Sequence, residues 1–294
     1  MSGPEHANYL LIDGVLRPGA LVELMKDDHA AQVNPLYLGS RWSELHNQGP
    51  ILIKLDAFSP KVSQWLNEPR KQEDSTLLYS TEPLHVVAHH LRHFLCPPDA
   101  LGGNGLLRFA DPSVGYFWLS SFYDTQLDER LGPIEHWSVG RPTHSWQALP
   151  QQNWQTFSRA GAERPWQADF ALLDHPQLAA LEQAQRWQLE ERFYQWLNNR
   201  SSPSFFEAMN SQQISEWMQT TIDRGLAWGL TTERGLIIWA ETSIDWGSDF
   251  VDQPGGRYQA WLNRDPEHAR LAPELRIEAL DTFLYMHRGF AHGR

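Results

Sequence analysis

Four histidines crowd one short apolar stretch, "LHVVAHHLRHFL", from Leu84 to Leu95. His85, His89 and His93 recur at every fourth residue, which on a helix places them on one face. Three imidazoles are a familiar ligand set for catalytic zinc, so a metal-dependent hydrolase is one reading of this helix. The geometry weighs against all three sharing one ion. The outer pair are separated by ~12 Å at a rise of ~1.5 Å per residue, whereas zinc–nitrogen bonds are ~2 Å. His85 and His89 could bind together, with a nearby carboxylate or water completing the site. The His-Glu-x-x-His pattern of metalloproteases is missing. The structural alternative is an amphipathic helix with its histidines toward solvent or an interface. Its core face would be Leu84, Val87, Ala88, Leu91, Phe94 and Leu95.

Other chemistry finds less support. Gly102, Gly103 and Gly105 precede an apolar run and lack the Gly-Lys-Ser/Thr of a phosphate loop, so they read as a turn. There is no Gly-x-Ser-x-Gly elbow. Cys96 stands alone at a helix end, as a small buried residue rather than a nucleophile. Asp13, Asp56 and Asp111 sit at the ends of expected strands, where α/β active sites can form. Each is also in a turn, where aspartate caps backbone donors. No catalytic residue, resident metal or cofactor is expected.

The elements that would position these residues fall into two styles. Residues 1–148 alternate short apolar strands ("NYLLIDG", "PLYLGS", "PILIKLD", "STLLYS", "LLRFADP", "GPIEHWSV", "THSWQAL") with short helices ("ALVELMKDD", "SRWSELHNQG", "SPKVSQWLNE", the histidine segment and "PSVGYFWLSSFY"). Such alternation predicts an α/β lobe with a mixed or largely parallel sheet and flanking helices. Residues 149–294 predict an all-helical C-terminal lobe. It opens with "HPQLAALEQAQRWQLEERFYQWLNN", where Leu178, Leu181, Leu189, Phe193, Trp196 and Leu197 keep near a 3.6-residue period and Asp174 is a candidate cap. The linking stretch, 145–168, is loop-like.

The 294 residues are 41 % apolar, enough for a sizeable core. Net charge is −12. Eleven basic against 17 acidic residues in 1–150, and 13 against 19 in 151–294, leave −6 in each half. That excludes a basic nucleic-acid or anionic-membrane surface from the expectations and suits a basic partner. A single cysteine, no secretory leader and no apolar run of ~20 residues point to a cytoplasmic protein.

The ordered pieces of the first half resemble the DUF4123 family, adaptor chaperones that load toxic effectors onto the spike of the bacterial type VI secretion system. "YLLIDGVL" contributes Asp13 and Gly14; "PLYLGSRWSEL" contributes Tyr37 and Gly39; "GPILIKL" contributes Gly49 and Pro50. The family's helical His-Leu-Arg is matched by His90, Leu91 and Arg92. Its Arg-Phe-Tyr-Asp-Pro-Arg is matched at Arg108, Phe109, Asp111 and Pro112, with departures at Ala110 and Ser113. "LGPIEHW", with Gly132 and Pro133, closes the set. The resemblance implies a structural role for these residues, and no metal at His90. One account of Arg92 is a pair with a strand-end carboxylate such as Asp111.

The resemblance further implies partners: a cognate effector and a VgrG-type spike protein. Aromatic anchors often carry binding energy at interfaces, which makes Trp217, Trp228, Trp239, Trp246 and Trp261 candidate effector contacts, against the alternative that they pack the helical lobe's own core. An immunity protein that neutralises a toxin is a further reading.

Overall fold

The computed structural model describes residues 6–26, 32–55, 73–99, 102–148, 153–200 and 203–288. The expected helix "SPKVSQWLNE" and the strand-end Asp56 lie outside them. The chain forms two compact units. One comprises Met1–Thr143 and Leu149–Trp187, the other His144–Ala148 and Gln188–Arg294.

The first unit is built on a six-stranded sheet: β1 (Tyr9–Asp13), β2 (Gln32–Pro35), β3 (Pro50–Lys54), β4 (Ser75–Tyr79), β5 (His136–Gly140) and β6 (Trp154–Ser158). Their order is β2-β3-β1-β4-β5-β6. Every neighbouring pair is antiparallel, which corrects the expected mixed or largely parallel sheet. The reason is positional. β1 and β2, joined through helix α1 (Ala20–Lys26), run in the same direction, but β3 inserts between them and opposes both. Local alternation of strand and helix carries no record of which later strand fills that gap.

β1 is buried along its whole length, because both faces of the sheet are covered at its centre. Tyr9 and Leu11 join Leu52, Leu78 and Trp137 under helices α2 (Leu84–Arg92), α3 (Pro112–Ser120) and α4 (Thr125–Leu131), which supply Val87, Leu91, Trp118, Leu119 and Leu131. Leu10 and Ile12 join Ile51, Ile53 and Leu77 against Ala20 and Leu21 of α1. The two-residue alternation thus feeds two separate cores from one apolar run. Pro112 opens α3 at its first turn behind the cap Asp111.

Other local expectations shift. "SRWSELHNQG" yields a 3₁₀ turn, Ser43–Leu45. "LLRFADP" is not a strand, although Leu107 N–H donates to the Leu95 carbonyl. "THSWQAL" is not a strand either, and β6 falls instead on "WQTFS". At a sheet edge β6 needs less burial than an inner strand, so its apolar signal is weak.

The second unit is helical. Helix α5 (His175–Arg200) begins in the first unit, where Leu178 and Leu181 pack, and enters the second, where Leu189, Phe193 and Leu197 pack. Trp196, expected on the same stripe, is exposed and donates to Glu241. There follow α6 (Pro203–Glu207), α7 (Ser211–Trp228), α8 (Glu233–Trp246), α9 (Arg257–Leu262), α10 (Pro266–Arg270) and α11 (Pro273–Arg288). A reciprocal Asn210–Gln213 capping box starts α7, and Gly229, at φ +108°, ends it in the left-handed conformation that glycine tolerates. Thr232 caps α8.

Segment 144–148, from the β5–β6 connection, is part of this unit. Trp146 is buried beside Tyr194, donates its indole N–H to Ser215 Oγ (2.9 Å) and accepts from Ser211 Oγ at its carbonyl (2.7 Å). The His144 ring lies 3.3 Å from a carboxylate oxygen of Glu190 and 3.3 Å from one of Glu191. Burial alone would lower the His144 pKa; the bonds to Glu190 and Glu191 outweigh it and raise it. Glu191, whose burial is outweighed by bonds from His144 and Ser145, is held down at about 2.

Trp239 and Trp261 are core side chains here, 1 % and 2 % exposed, in a ring-to-ring chain with Phe250 and Tyr258. Trp239→Ala should therefore destabilise the protein by about 3–5 kcal/mol, read as a lowered urea midpoint. An unchanged midpoint would remove Trp239 from the core.

Candidate protein-binding surface

The motif residues converge where β1 and β2 end and β3 and β4 begin. Register places Asp13 opposite Pro50, and Pro35 opposite Ile51. Asp13, 4 % exposed, accepts the Val15 and Leu16 N–H groups at Oδ1 (2.8 and 3.1 Å) and Arg108 Nη2 at Oδ2 (3.0 Å). Arg108 also lies 3.4 Å from Asp111. Asp111 accepts Ser113 N–H and Oγ–H at 3.0 and 2.7 Å. Burial raises the Asp111 pKa, and Asp13 adds to the rise; Ser113 and Arg108 oppose it.

Arg92 does not pair with Asp111, contrary to the sequence-based account. Its guanidinium donates to the Leu36 carbonyl (3.0 Å), Asn34 Oδ1 (2.7 Å) and the Pro35 carbonyl (3.4 Å). Arg92 thus ties the end of β2 to α2, while Arg108 neutralises the aspartates. A guanidinium offers five donors and fits a cluster of carbonyls as well as a carboxylate.

Glycines make the close approaches. Gly14 packs against the Gly49 backbone, and the Tyr37 ring lies over Gly49, leaving no room for a Cβ at either. Gly39 turns at φ +80°. Leu91 and Phe109 are core residues. On the far side of α2, His90 Nε2 bonds the Arg130 carbonyl (2.7 Å), and its ring fills the space above Gly132. Pro133 accepts from Ser80 Oγ (2.6 Å). Burial pushes the His90 pKa down to about 4.

The other histidines of α2 are not gathered around an ion position. His85 and His89 are exposed. His93 stacks on Trp166 at 4.1 Å and meets the His89 ring edge-on. Among the described residues no three His, Cys, Asp or Glu side chains are grouped to hold a metal. Cys96, half-buried, accepts from Arg41 Nη2 (2.9 Å) and Trp42 Nε1 (3.4 Å). Trp166 and Arg130 went unnoticed in the sequence, because nothing local marks a residue whose partner lies 40 or more positions away.

The loops held by Asp13, Arg92 and Arg108 present apolar tips. Val15, Leu16, Leu38, Leu45 and Leu106 are 41–55 % exposed. The described residues here offer apolar side chains on backbone fixed from beneath, a surface suited to a protein partner. Of the five candidate tryptophans, Trp217, Trp228 and Trp246 are half-buried against the helical core that holds Trp239 and Trp261.

A double-mutant cycle separates the two arginines. Arg108→Ala should cost roughly 2–3 kcal/mol, the loss of a charged hydrogen bond to a buried acceptor, and should couple to Asp13→Asn. Arg92→Ala and Asp111→Asn should be additive within about 0.5 kcal/mol. Coupling in the second pair and none in the first would reverse the assignment.

His90 sets a pH dependence. Folded His90 stays neutral to about pH 4, while the unfolded chain takes up the proton near its ordinary value of about 6.5. The stabilisation is present above pH 6.5 and is lost as pH falls toward 4, on the order of 3 kcal/mol. His93, also lowered by burial, acts in the same direction. Thermal melts of wild type and His90→Gln should converge as pH falls through this window. Parallel curves would count against a buried neutral His90.

No curated protein and no solved structure matches the chain. A family model described as a domain of unknown function, DUF4123, matches residues 8–129, a span that includes the Asp13, Arg92 and Arg108 cluster and stops short of Gly132 and Pro133. Residues 8–129 of this chain thus match the DUF4123 family model.

Proposed function

We propose that this protein is an adaptor chaperone of a type VI secretion system. It binds a toxic effector in the cytoplasm, keeps it soluble and helps load it onto a VgrG-type spike protein. The DUF4123 domain carries the reading, through that family's general association with this role. The exposed Leu16, Leu38 and Leu106, on loops anchored by Asp13 and Arg92, suit it, because a chaperone must offer fixed apolar area to aggregation-prone segments. The net charge of −12 favours a basic partner. No described helix is long and apolar enough to cross a membrane. No catalytic step is assigned.

The test is co-expression of the tagged chain with the effector-like and spike proteins encoded beside it, followed by size exclusion. A joint peak is expected, with the effector insoluble when this chain is omitted. Leu38→Asp with Leu106→Asp should weaken the complex at least about tenfold at an unchanged melting temperature. No joint peak with either neighbour would overturn the proposal.

A further inference from the structure

The two edges of the sheet are finished differently. At β2, Pro35 has no N–H to offer, and Arg92 occupies the Pro35 carbonyl and the Asn34 side chain. Proline and covering side chains are the usual means of closing an edge. β6 reads Trp-Gln-Thr-Phe-Ser, with neither proline nor lysine, and among the described residues it pairs with β5 alone.

The ladder shows which β6 groups are left over. Arg141 N–H donates to the Asn153 carbonyl, and Arg159 N–H to the Glu135 carbonyl, at the two ends of a register that sets Gly140 opposite Trp154 and His136 opposite Ser158. With a period of two, the peptide groups of Asn153, Gln155 and Phe157 face β5. Those of Trp154, Thr156 and Ser158 face outward. All three residues are half-buried. The Thr156 carbonyl accepts from the side chain of Gln155.

The two faces beside this edge differ in chemistry. On one, Phe157 packs with Tyr116 of α3, and Tyr116 and Phe117 are half-buried. On the other, Ser138 bonds Thr156 and His136 bonds Ser158, both at 2.9 Å. Arg141, exposed and held by Gln155 Oε1 at 2.7 Å, places a positive charge at the start of the strand.

We infer that the outer edge of β6 receives an extended segment of the effector as a seventh strand, one that alternates apolar and polar residues and carries a carboxylate where it passes Arg141. The occupant rests on the adaptor reading; the edge does not. Main-chain bonds to Trp154, Thr156 and Ser158 supply the affinity, and the alternation supplies the choice of partner. A second copy of this chain fits less well. The register that uses all three outward residues is centred on Thr156. It sets the second copy's Gln155 beside Phe157 and brings the second copy's Arg159 toward Arg141, cation against cation.

Backbone hydrogen exchange on the full chain, free and in complex with the effector-like protein encoded beside it, tests the inference. The Trp154, Thr156 and Ser158 amides should exchange freely in the free chain and slow at least about tenfold in the complex. Thr156→Pro removes an outward N–H and leaves the β5 backbone ladder intact; Arg141→Glu sets a carboxylate where the segment brings its own. Each should cut recovered complex about tenfold in a chain that still melts as one cooperative fold. A complex whose β6 amides do not slow, or that both folded variants retain, would overturn the edge and leave the adaptor reading standing. Protection in the free chain that rises with its concentration would assign the edge to a second copy and overturn the proposed occupant. Absence of any complex would remove the adaptor reading, and this occupant with it.

Discussion

A carboxylate at the end of a strand buried on both faces must be neutralised where it stands, and the first unit is arranged around how Asp13 meets that demand. Its two oxygens are divided between the backbone of the following turn and Arg108. An unpaired buried carboxylate would cost several kcal/mol, about as much as a small domain has to spare. The pair therefore acts as a requirement on the chain: residues 95 positions apart must meet, and the loops that carry them must pass at the same end of the sheet. Asp111 adds a second demand on Arg108 while capping α3, so that strand end, loop and helix start share one charge cluster.

Around that cluster the remaining polar groups are handled in the same way. Arg92 satisfies carbonyls at the end of β2 that no strand partner reaches. Glycines at 14 and 49 let backbone approach backbone, and Tyr37 fills the space so made. A rigid underside beneath apolar tips is what separates a binding surface from a collapsed loop. Rigidity lowers the entropy lost on association, and exposed leucines supply the area gained. The helical unit solves a different problem, burying an unusual load of aromatic rings, and draws the Trp146 segment into that core.

The two histidine environments pull stability in opposite directions with pH. Burial lowers the pKa of both His90 and His93 and so favours their neutral forms. His144, between two carboxylates, has its pKa raised, which favours the protonated ring. Acid weakens the first arrangement, and a rise in pH weakens the second. In the histidine-rich helix, His90 packs over Gly132 and His93 on Trp166, while His85 and His89 stay exposed.

The sequence by itself determined the elements whose signal is local. These are the apolar runs of β1, β3, β4 and β5, the Asp111-Pro112 start of α3, the helical character of the chain from α5 onward, and the ordered motif pieces around Asp13, Arg92 and Arg108. Tertiary structure decided what depends on distant partners. β3 enters between β1 and β2 and makes the sheet antiparallel. Arg92 serves carbonyls while Arg108 serves the aspartates, because their reach is set by where the loops return. Trp239 and Trp261 are buried while Leu38 and Leu106 are exposed, against the ordering that side-chain size alone suggests, since burial is a property of neighbours rather than of residue type. β6, barely visible as a strand, exists because β5 offers it a ladder, and its outward peptide groups follow from standing last in the sheet.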